Sequence, residues 1–214
     1  MVGAPGAGKG TQAVLLSERL DIPHVASGDL FRDNIKRGTA LGKKVKGYLE
    51  SGALVPDSVT VQMIADRIAR PDASEGAILD GFPRTRPQAE ALDAMLAKLD
   101  GQVAAALYVD VPRHELLRRL TGRWMCTVAP DHVYHAVYRP AKVEGVCDID
   151  GAPLYQRDDD KPATIEARLE QQLPPMYEVV DYYTDRGVLS TVDGEQDVAE
   201  VTDALLRAIA QPAR

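Results

Sequence analysis

Ten residues near the start of the chain constrain it more than any other stretch: Gly3-Ala4-Pro5-Gly6-Ala7-Gly8-Lys9-Gly10-Thr11-Gln12. The pattern is Gly-x4-Gly-Lys, feeding directly into a helical segment. Glycines let backbone N–H groups turn inward around phosphate oxygens with no Cβ in the way, and the N-terminus of the helix behind them adds a favourable dipole. Lys9 stands where it would reach the β- and γ-phosphates of a nucleotide. The strict form of the loop has Ser or Thr directly after the lysine. Here Gly10 intervenes and Thr11 follows.

The rest of the chain alternates in a way that suits such a loop. Ala13, Leu16 and Leu20 recur at helical spacing between Thr11 and Leu20, and Val61, Ile64, Ala65 and Ile68 share one face after Pro56, with Asp57 or Ser58 as the expected cap. Glu115 to Leu120 and Val198 to Ile209 read as two more helices. Between them lie short apolar runs, Ala77-Ile78-Leu79, Ala104 to Val111 and Val188 to Val192, bounded by Gly, Asp or Pro. Runs that are apolar on both faces and separated by helices predict a parallel sheet covered on both sides, an α/β fold. Two stretches interrupt the alternation. Ser27 to Val55 is a helical excursion. Gly122 to Asp160 is rich in Pro, Asp, His and Tyr, holds both cysteines, and at ~40 residues is too long for a plain connection, so it reads as an inserted functional subdomain. The step Leu173-Pro174-Pro175-Met176 is expected to end or kink the helix around it.

Composition sets the outer limits. At 214 residues one domain with insertions is expected; 45% hydrophobic residues can fill a core, and 27% charged residues argue against global disorder. A formal charge of −7 argues against a nucleic-acid coat or a basic membrane-surface protein, though not against a local basic cleft. No run approaches the ~18–20 apolar residues that cross a bilayer, and no basic-then-apolar leader is visible. Two cysteines make no disulfide framework, so the expected compartment is the cytoplasm, with neither nucleic acid nor membrane as a partner.

The variant Gly-x-Pro-Gly-x-Gly-Lys-Gly-Thr resembles the adenylate kinases. The resemblance continues through Ser27-Gly28-Asp29-Leu30-Phe31-Arg32, Leu54-Val55-Pro56-Asp57, Asp80-Gly81-Phe82-Pro83-Arg84, Gln88, Arg119-Leu120-Thr121-Gly122-Arg123, Val133-Tyr134-His135 and Arg157-Asp158-Asp159. It implies a P-loop, doubly wound parallel sheet of about five strands with helices on both faces. The core would be residues 1–26, 56–121 and 161–214, with 27–55 as an AMP-binding insertion and 122–160 as a lid of the long bacterial type. The implied reaction is ATP + AMP to two ADP, in a monomer. Arginine suits such work, because it is permanently charged and grips phosphate with two parallel N–H bonds.

Carried over by position, Gly6, Ala7, Gly8, Lys9, Gly10 and Thr11, with Arg119, Arg123, Val133, Tyr134 and Gln196, correspond to contacts with ATP, Arg119 stacking on its base. Ser27, Arg32, Ala53, Leu54, Val55, Gly81, Phe82, Pro83, Arg84, Gln88, Arg157 and Arg168 correspond to contacts with AMP. Lys9, Arg84, Arg123, Arg157 and Arg168 would act on the transferred phosphoryl group. Asp80 would hold Mg²⁺ through its waters, and Asp158 and Asp159 resemble lid-hinge acids. One departure stands out: the family has a full hydrophobic strand before the phosphate loop, where only Met1-Val2 stand here. The start is therefore expected to lie a few residues downstream of a complete one, or to be an engineered truncation. Other readings are a UMP/CMP-type kinase, a kinase using GTP as donor, or a nucleotide-binding sensor without turnover. Intact Lys9, Arg84, Arg123 and Arg157 speak against the sensor.

Cys126 and Cys147 both fall in the lid, where part of the family binds a structural zinc with two Cys-x2-Cys pairs. Here the second pair reads Cys147-Asp148-Ile149-Asp150, and in the first Ala129 stands where the partner cysteine should be, with His132 nearby. Cys126, His132, Cys147 and Asp150 supply two sulfurs, a nitrogen and an oxygen, a set zinc accepts in tetrahedral geometry. His135 could compete with His132. The alternative is a pair of reduced cysteines in a hydrogen-bonded polar cluster. His24 and His114 suggest no partner.

Overall fold

The computed structural model describes residues 1–129 and 131–210. Helix α1 (Lys9–Leu20) leaves the phosphate loop and is followed by β1 (His24–Ala26), a strand the apolar pattern does not announce because it offers a single large apolar residue, Val25. Helices α2 (Ser27–Lys36) and α3 (Ala40–Ser51) form the expected helical excursion, and α4 (Asp57–Ile68) returns to the body of the molecule. Then come β2 (Ile78–Asp80), α5 (Arg86–Ala97), β3 (Ala106–Asp110) and α6 (Arg113–Thr121). Strands β4 (Arg123–Cys126), β5 (Val133–His135) and β6 (Leu154–Tyr155) occupy the inserted segment, and α7 (Pro162–Asp185), β7 (Leu189–Asp193) and α8 (Val198–Ala210) complete the described chain.

The parallel sheet is assembled from two pairs, β1 with β2 and β3 with β7. Met1 and Val2 join them. The Met1 nitrogen donates to Leu79 O on β2 at 2.8 Å. On the other side Val2 N–H donates to Leu107 O and Val2 O accepts from Val109 N–H. Two residues thus stand in the place of the central strand, giving the order β1, β2, Val2, β3, β7 and the expected five-stranded arrangement in its shortest form. Val2, Ala4, Leu107, Val109 and Val192 from this sheet lie in one core with Ala13 and Leu16 of α1, Leu169 and Val179 of α7, and Leu205 of α8. The inserted segment is built differently: β5, β4 and β6 pair antiparallel around their own small cluster of Cys126, Tyr134 and Cys147.

Three local expectations are corrected. Helix α4 has Pro56 at its N-cap and no side-chain cap, because Asp57 is turned elsewhere: its carboxylate accepts from Thr85 Oγ1 and Gln88 Nε2. Helix α7 does not end at Pro174 and Pro175 but continues past them to Asp185. Ring closure removes two helical N–H donors there, yet Leu169, Gln172, Met176 and Val179 are buried along the same helix and hold both halves in place. His24 does have a partner, described below.

Candidate active site

The phosphate loop closes tightly. Ala7 N–H donates to Ala4 O at 3.1 Å, and Lys9 Nζ donates to the same oxygen at 2.8 Å. Gly6 sits at φ +85°, and a Cβ there would fall 2.9 Å from Leu120 Cγ on α6, so both backbone and packing demand glycine. Gly8 caps α1, whose first N–H groups face the loop. Gly10 lies against the carboxylate at the end of β2, where a Cβ would stand 3.4 Å from Asp80 Oδ2. Thr11, the next residue, is exposed on α1.

Charge is concentrated around this loop. Burial pushes the Lys9 ammonium down to about 8; Asp80 opposes the shift and Arg84, Arg168 and Arg123 add to it. Burial alone would raise Asp80, but the His24 contact and the Lys9 charge outweigh it and hold the carboxyl at about 2. His24 Nε2 lies 3.3 Å from Asp80 Oδ2, across the β1–β2 pair. The spacing of 56 residues hides this partnership in the sequence.

Four of the predicted arginines meet beside it. Arg123 grips Asp160 with two bonds, Nε at 2.7 Å and Nη2 at 2.5 Å, and the Asp160 side chain is 0% exposed. Arg168 Nη1 reaches Asp159 at 2.9 Å and Asp160 at 3.3 Å. Arg32 Nη2 donates to Asp29 at 2.6 Å, and Arg157 Nη2 faces the same carboxylate at 3.9 Å. Burial lowers both Arg157 and Arg168 to about 10, Arg157 under the added repulsion of Arg32 and Arg123. Among the described residues Arg157 Nε is buried without a partner. Unpaired donors and crowded cations in a closed cleft are what a multiply charged anion would relieve.

Most of the residues expected on the AMP side line one cavity; Phe82, Pro83 and Arg157 are not in its lining. Ser27, Arg32, Ala53, Leu54, Val55, Gly81, Arg84, Gln88 and Arg168 all contribute, and Phe82 is fully buried behind it. Arg84 is braced on both sides, by Nε to Gly81 O at 2.7 Å and by Nη1 to Gln172 Oε1 at 2.8 Å. Gln172 in turn donates to Gly52 O at 2.6 Å. Gln88 is held by Asp57 at one end and accepts from Arg84 N–H at the other. Ser27 Oγ donates to Gly81 O. Sequence reasoning missed Gln172, Asp57 and Asp160. Gln172 offered one signal, its position four residues after Arg168 on the same helix; the other two show only once the segments are brought together.

The residues expected on the ATP side are more dispersed. Arg119 lies on α6 with its Nε bonded to Glu115, and Gln196 is in the exposed turn between β7 and α8. Tyr134 turns its side chain into the lid, where its hydroxyl accepts from Asp148 N–H at 2.7 Å and lies 3.4 Å from Cys147 Sγ. Its backbone pairs with Trp124 in the β4–β5 ladder, so neither its ring nor its main chain is turned toward a ligand. Asp158 is exposed and pairs with Lys161, so of the two expected hinge acids only Asp159 enters the arginine cluster.

Within the lid, one donor atom from each of Cys126, His132, Cys147 and Asp150 falls in a group whose members are all within 4.8 Å of one another. Cys126 Sγ is 3.3 Å from Asp150, Cys147 Sγ is 3.4 Å from His132 Nδ1, and His132 Nδ1 is 3.1 Å from Asp150. Donors at bond lengths of ~2.0–2.3 Å on a tetrahedral zinc are separated by about 3.3–3.8 Å, so the set fits such an ion with small adjustments. Val128 and Ala129 N–H groups point at Cys126 Sγ and act to lower its thiol, but burial outweighs them and the net direction without a metal is up. Ala129 therefore serves the site through its backbone, although its side chain cannot ligate. His135 does not compete: Val137 and Tyr138 N–H donate to its Nδ1, and its Nε2 meets Arg118 O at 3.1 Å.

Known proteins resemble this chain in sequence. The family model for adenylate kinase matches residues 1–188. An adenylate kinase of Staphylococcus aureus (strain Mu50) is 48% identical over 202 residues, 94% of each chain. One from Staphylococcus epidermidis (strain RP62A) is 46% identical over 206 residues, 96% of this chain and 95% of the other. With the phosphate loop and the arginine cluster in place, and likeness running the length of the chain, this protein belongs to the adenylate kinase family.

Proposed function

We propose that the chain moves the terminal phosphoryl group of ATP to AMP, with AMP in the cavity between α2, α3 and α5 and ATP on the phosphate loop. The observation that carries the reading is the convergence of Arg123, Arg157, Arg168 and Lys9 at the boundary between these two places. Phosphoryl transfer asks little covalent chemistry of a protein; it needs two oxygens aligned and the charge between them neutralised.

Lys9 and the N–H groups of α1 would hold the donor phosphates, Arg32 and Arg84 the acceptor phosphate, and Arg123, Arg157 and Arg168 the equatorial oxygens of the group in transit. Gln172 and Gly81 keep the Arg84 guanidinium from swinging out. Mg²⁺ bound with ATP supplies further neutralisation of the phosphates, and Asp80, ionised at any physiological pH, is the group to hold it through waters, with His24 fixing the carboxylate. Residues 27–55 and 122–160 act as two covers that exclude water, without which ATP would be hydrolysed. Cys126, His132, Cys147 and Asp150 would hold a structural zinc: all four places are filled by protein, so none is open for chemistry.

A coupled assay tests the reading. ADP formation should depend on AMP and on Mg²⁺, with CMP or UMP supporting little and GTP replacing ATP poorly. Turnover that prefers CMP or UMP would reassign the acceptor. ATP binding with no AMP-dependent turnover would leave a sensor instead of an enzyme.

A further inference from the structure

Glu115 has no place in the chemistry above, yet it is among the few carboxylates withdrawn from solvent, with its side chain 10% exposed. It sits in the first turn of α6 and engages three donors. Oε1 accepts from Arg119 Nε at 2.9 Å; Oε2 accepts from Tyr138 OH at 3.2 Å and from Arg118 Nη1 at 3.4 Å. Burial acts to raise its carboxyl, but Arg119, Tyr138 and Arg118 outweigh it and the net direction is down, so it is held as the anion.

Tyr138 comes from the inserted lid segment and Arg119 from the core helix, so the carboxylate joins the two. The Tyr138 side is itself well fixed. Its ring stacks on His135 at 4.4 Å, and the Arg118 guanidinium lies over it at 5.4 Å. His135 Nε2 bonds Arg118 O, and Ala136 N–H bonds Gly122 O. A Cβ on Gly122 would fall 2.3 Å from the His135 ring, so the close approach of this turn to the end of α6 requires glycine there. The Arg119 side is left half free. Only its Nε is engaged among the described residues, which leaves the terminal nitrogens and the flat face of the guanidinium for a ligand.

We propose that Glu115, clamped by Tyr138, is the positioning residue that orients Arg119 for the base of the donor nucleotide, so that donor binding depends on a carboxylate shared between core and lid. This rests on the reading of Arg119 as the donor-base contact. A guanidinium on a flexible stem stacks usefully only if its plane is fixed beforehand, and a buried carboxylate on Nε fixes that plane without occupying the face.

The test uses the whole enzyme and measures KM for each nucleotide, kcat, and direct binding of a non-hydrolysable ATP analogue. Glu115→Leu should raise KM for ATP and weaken analogue binding about tenfold, the scale of losing a charged hydrogen bond, with KM for AMP and kcat changed less than about twofold. Tyr138→Phe should give a smaller effect in the same direction, and Glu115→Gln, which keeps an acceptor for Nε, should recover most of the loss. In an Arg119→Ala background, Glu115→Leu should add nothing, because its effect passes through Arg119. An undiminished Glu115→Leu effect in that background would overturn the proposal, as would an equal loss of AMP affinity. If Arg119→Ala by itself leaves ATP affinity intact, it is the donor-base reading that fails. If Arg119→Ala weakens ATP and both Glu115→Leu and Tyr138→Phe do not, the reading stands and the positioning role fails. Should Glu115→Leu fold poorly, Glu115→Gln and Tyr138→Phe carry the comparison, and an unchanged KM for ATP in Tyr138→Phe overturns the clamp.

Discussion

Lys9 shows how one residue carries both a cost and a use. Its folded pKa of about 8 lies below the ordinary lysine value of 10.5 because the ammonium is buried among arginines. A base whose pKa falls on folding costs stability while it is charged. That cost is complete below about 8 and disappears as pH rises toward the unfolded value, so Lys9 makes stability increase with pH across this window. Phosphate oxygens against the ammonium reverse the shift. Nucleotide binding near pH 8 should therefore take up a fraction of a proton, seen by calorimetry in buffers of different ionisation heat, and the uptake should vanish by about pH 6.5 where Lys9 already carries its proton. Lys9→Met should abolish the difference between the two conditions; equal uptake in the variant would place the titrating group elsewhere. Arg84, braced by Gly81 and Gln172, is argued from geometry instead. Arg84→Ala should lower turnover by at least ~10²-fold in steady-state kinetics, since it removes a fixed cation from the acceptor phosphate.

Among the elements, the lid is the one whose stability depends least on apolar burial. Its cluster holds Cys126, Tyr134 and Cys147, with three short strands around it and many exposed apolar side chains, Val128, Val137, Val143 and Ile149 among them. A metal at the four donors would supply the missing cohesion. Cys126→Ser is expected to lower bound metal and thermal stability together, measured by elemental analysis and by melting; wild-type protein purified without stoichiometric zinc, cobalt or iron would sink the metal reading. The lid also shows what a sequence makes legible. Cys126, His132, Cys147 and Asp150 could be selected because the family resemblance implies ligands at these places and a donor stands at or near each; the phosphate loop could be selected because its function is local. Strand β1 was not legible, since His24-Val25-Ala26 offers a single large apolar residue where the equally short β2 shows an apolar run. Nor were the partnerships His24–Asp80, Arg123–Asp160 and Arg84–Gln172, which join segments 37 to 88 residues apart. The doubled proline misled about α7 for a physical reason: proline weakens a helix locally, but tertiary burial on either side of Pro174 and Pro175 decides the outcome.

Across the whole molecule, a chain of charge −7 still brings Lys9, Arg84, Arg123 and Arg168 within reach of one another. Net charge governs solubility and distant attraction; the cleft responds to the few charges within reach. If both nucleotides occupy that cleft together, a compound joining two adenosines through one phosphate chain of suitable length should raise the melting temperature more than saturating ATP or AMP alone, because the second half binds without a second loss of translational freedom. An upshift no larger than that from ATP would mean that the two places are not occupied at once. Asp160 adds a condition to such occupancy. It is wholly enclosed and shared by Arg123 and Arg168, so these guanidiniums already have an anion when the cleft holds no other. An incoming group must draw them away from a fixed rival, and a dephosphorylated nucleoside has nothing to offer in exchange. The carboxylate would thus set an admission threshold by charge, one that separates phosphorylated from bare nucleosides whatever their base.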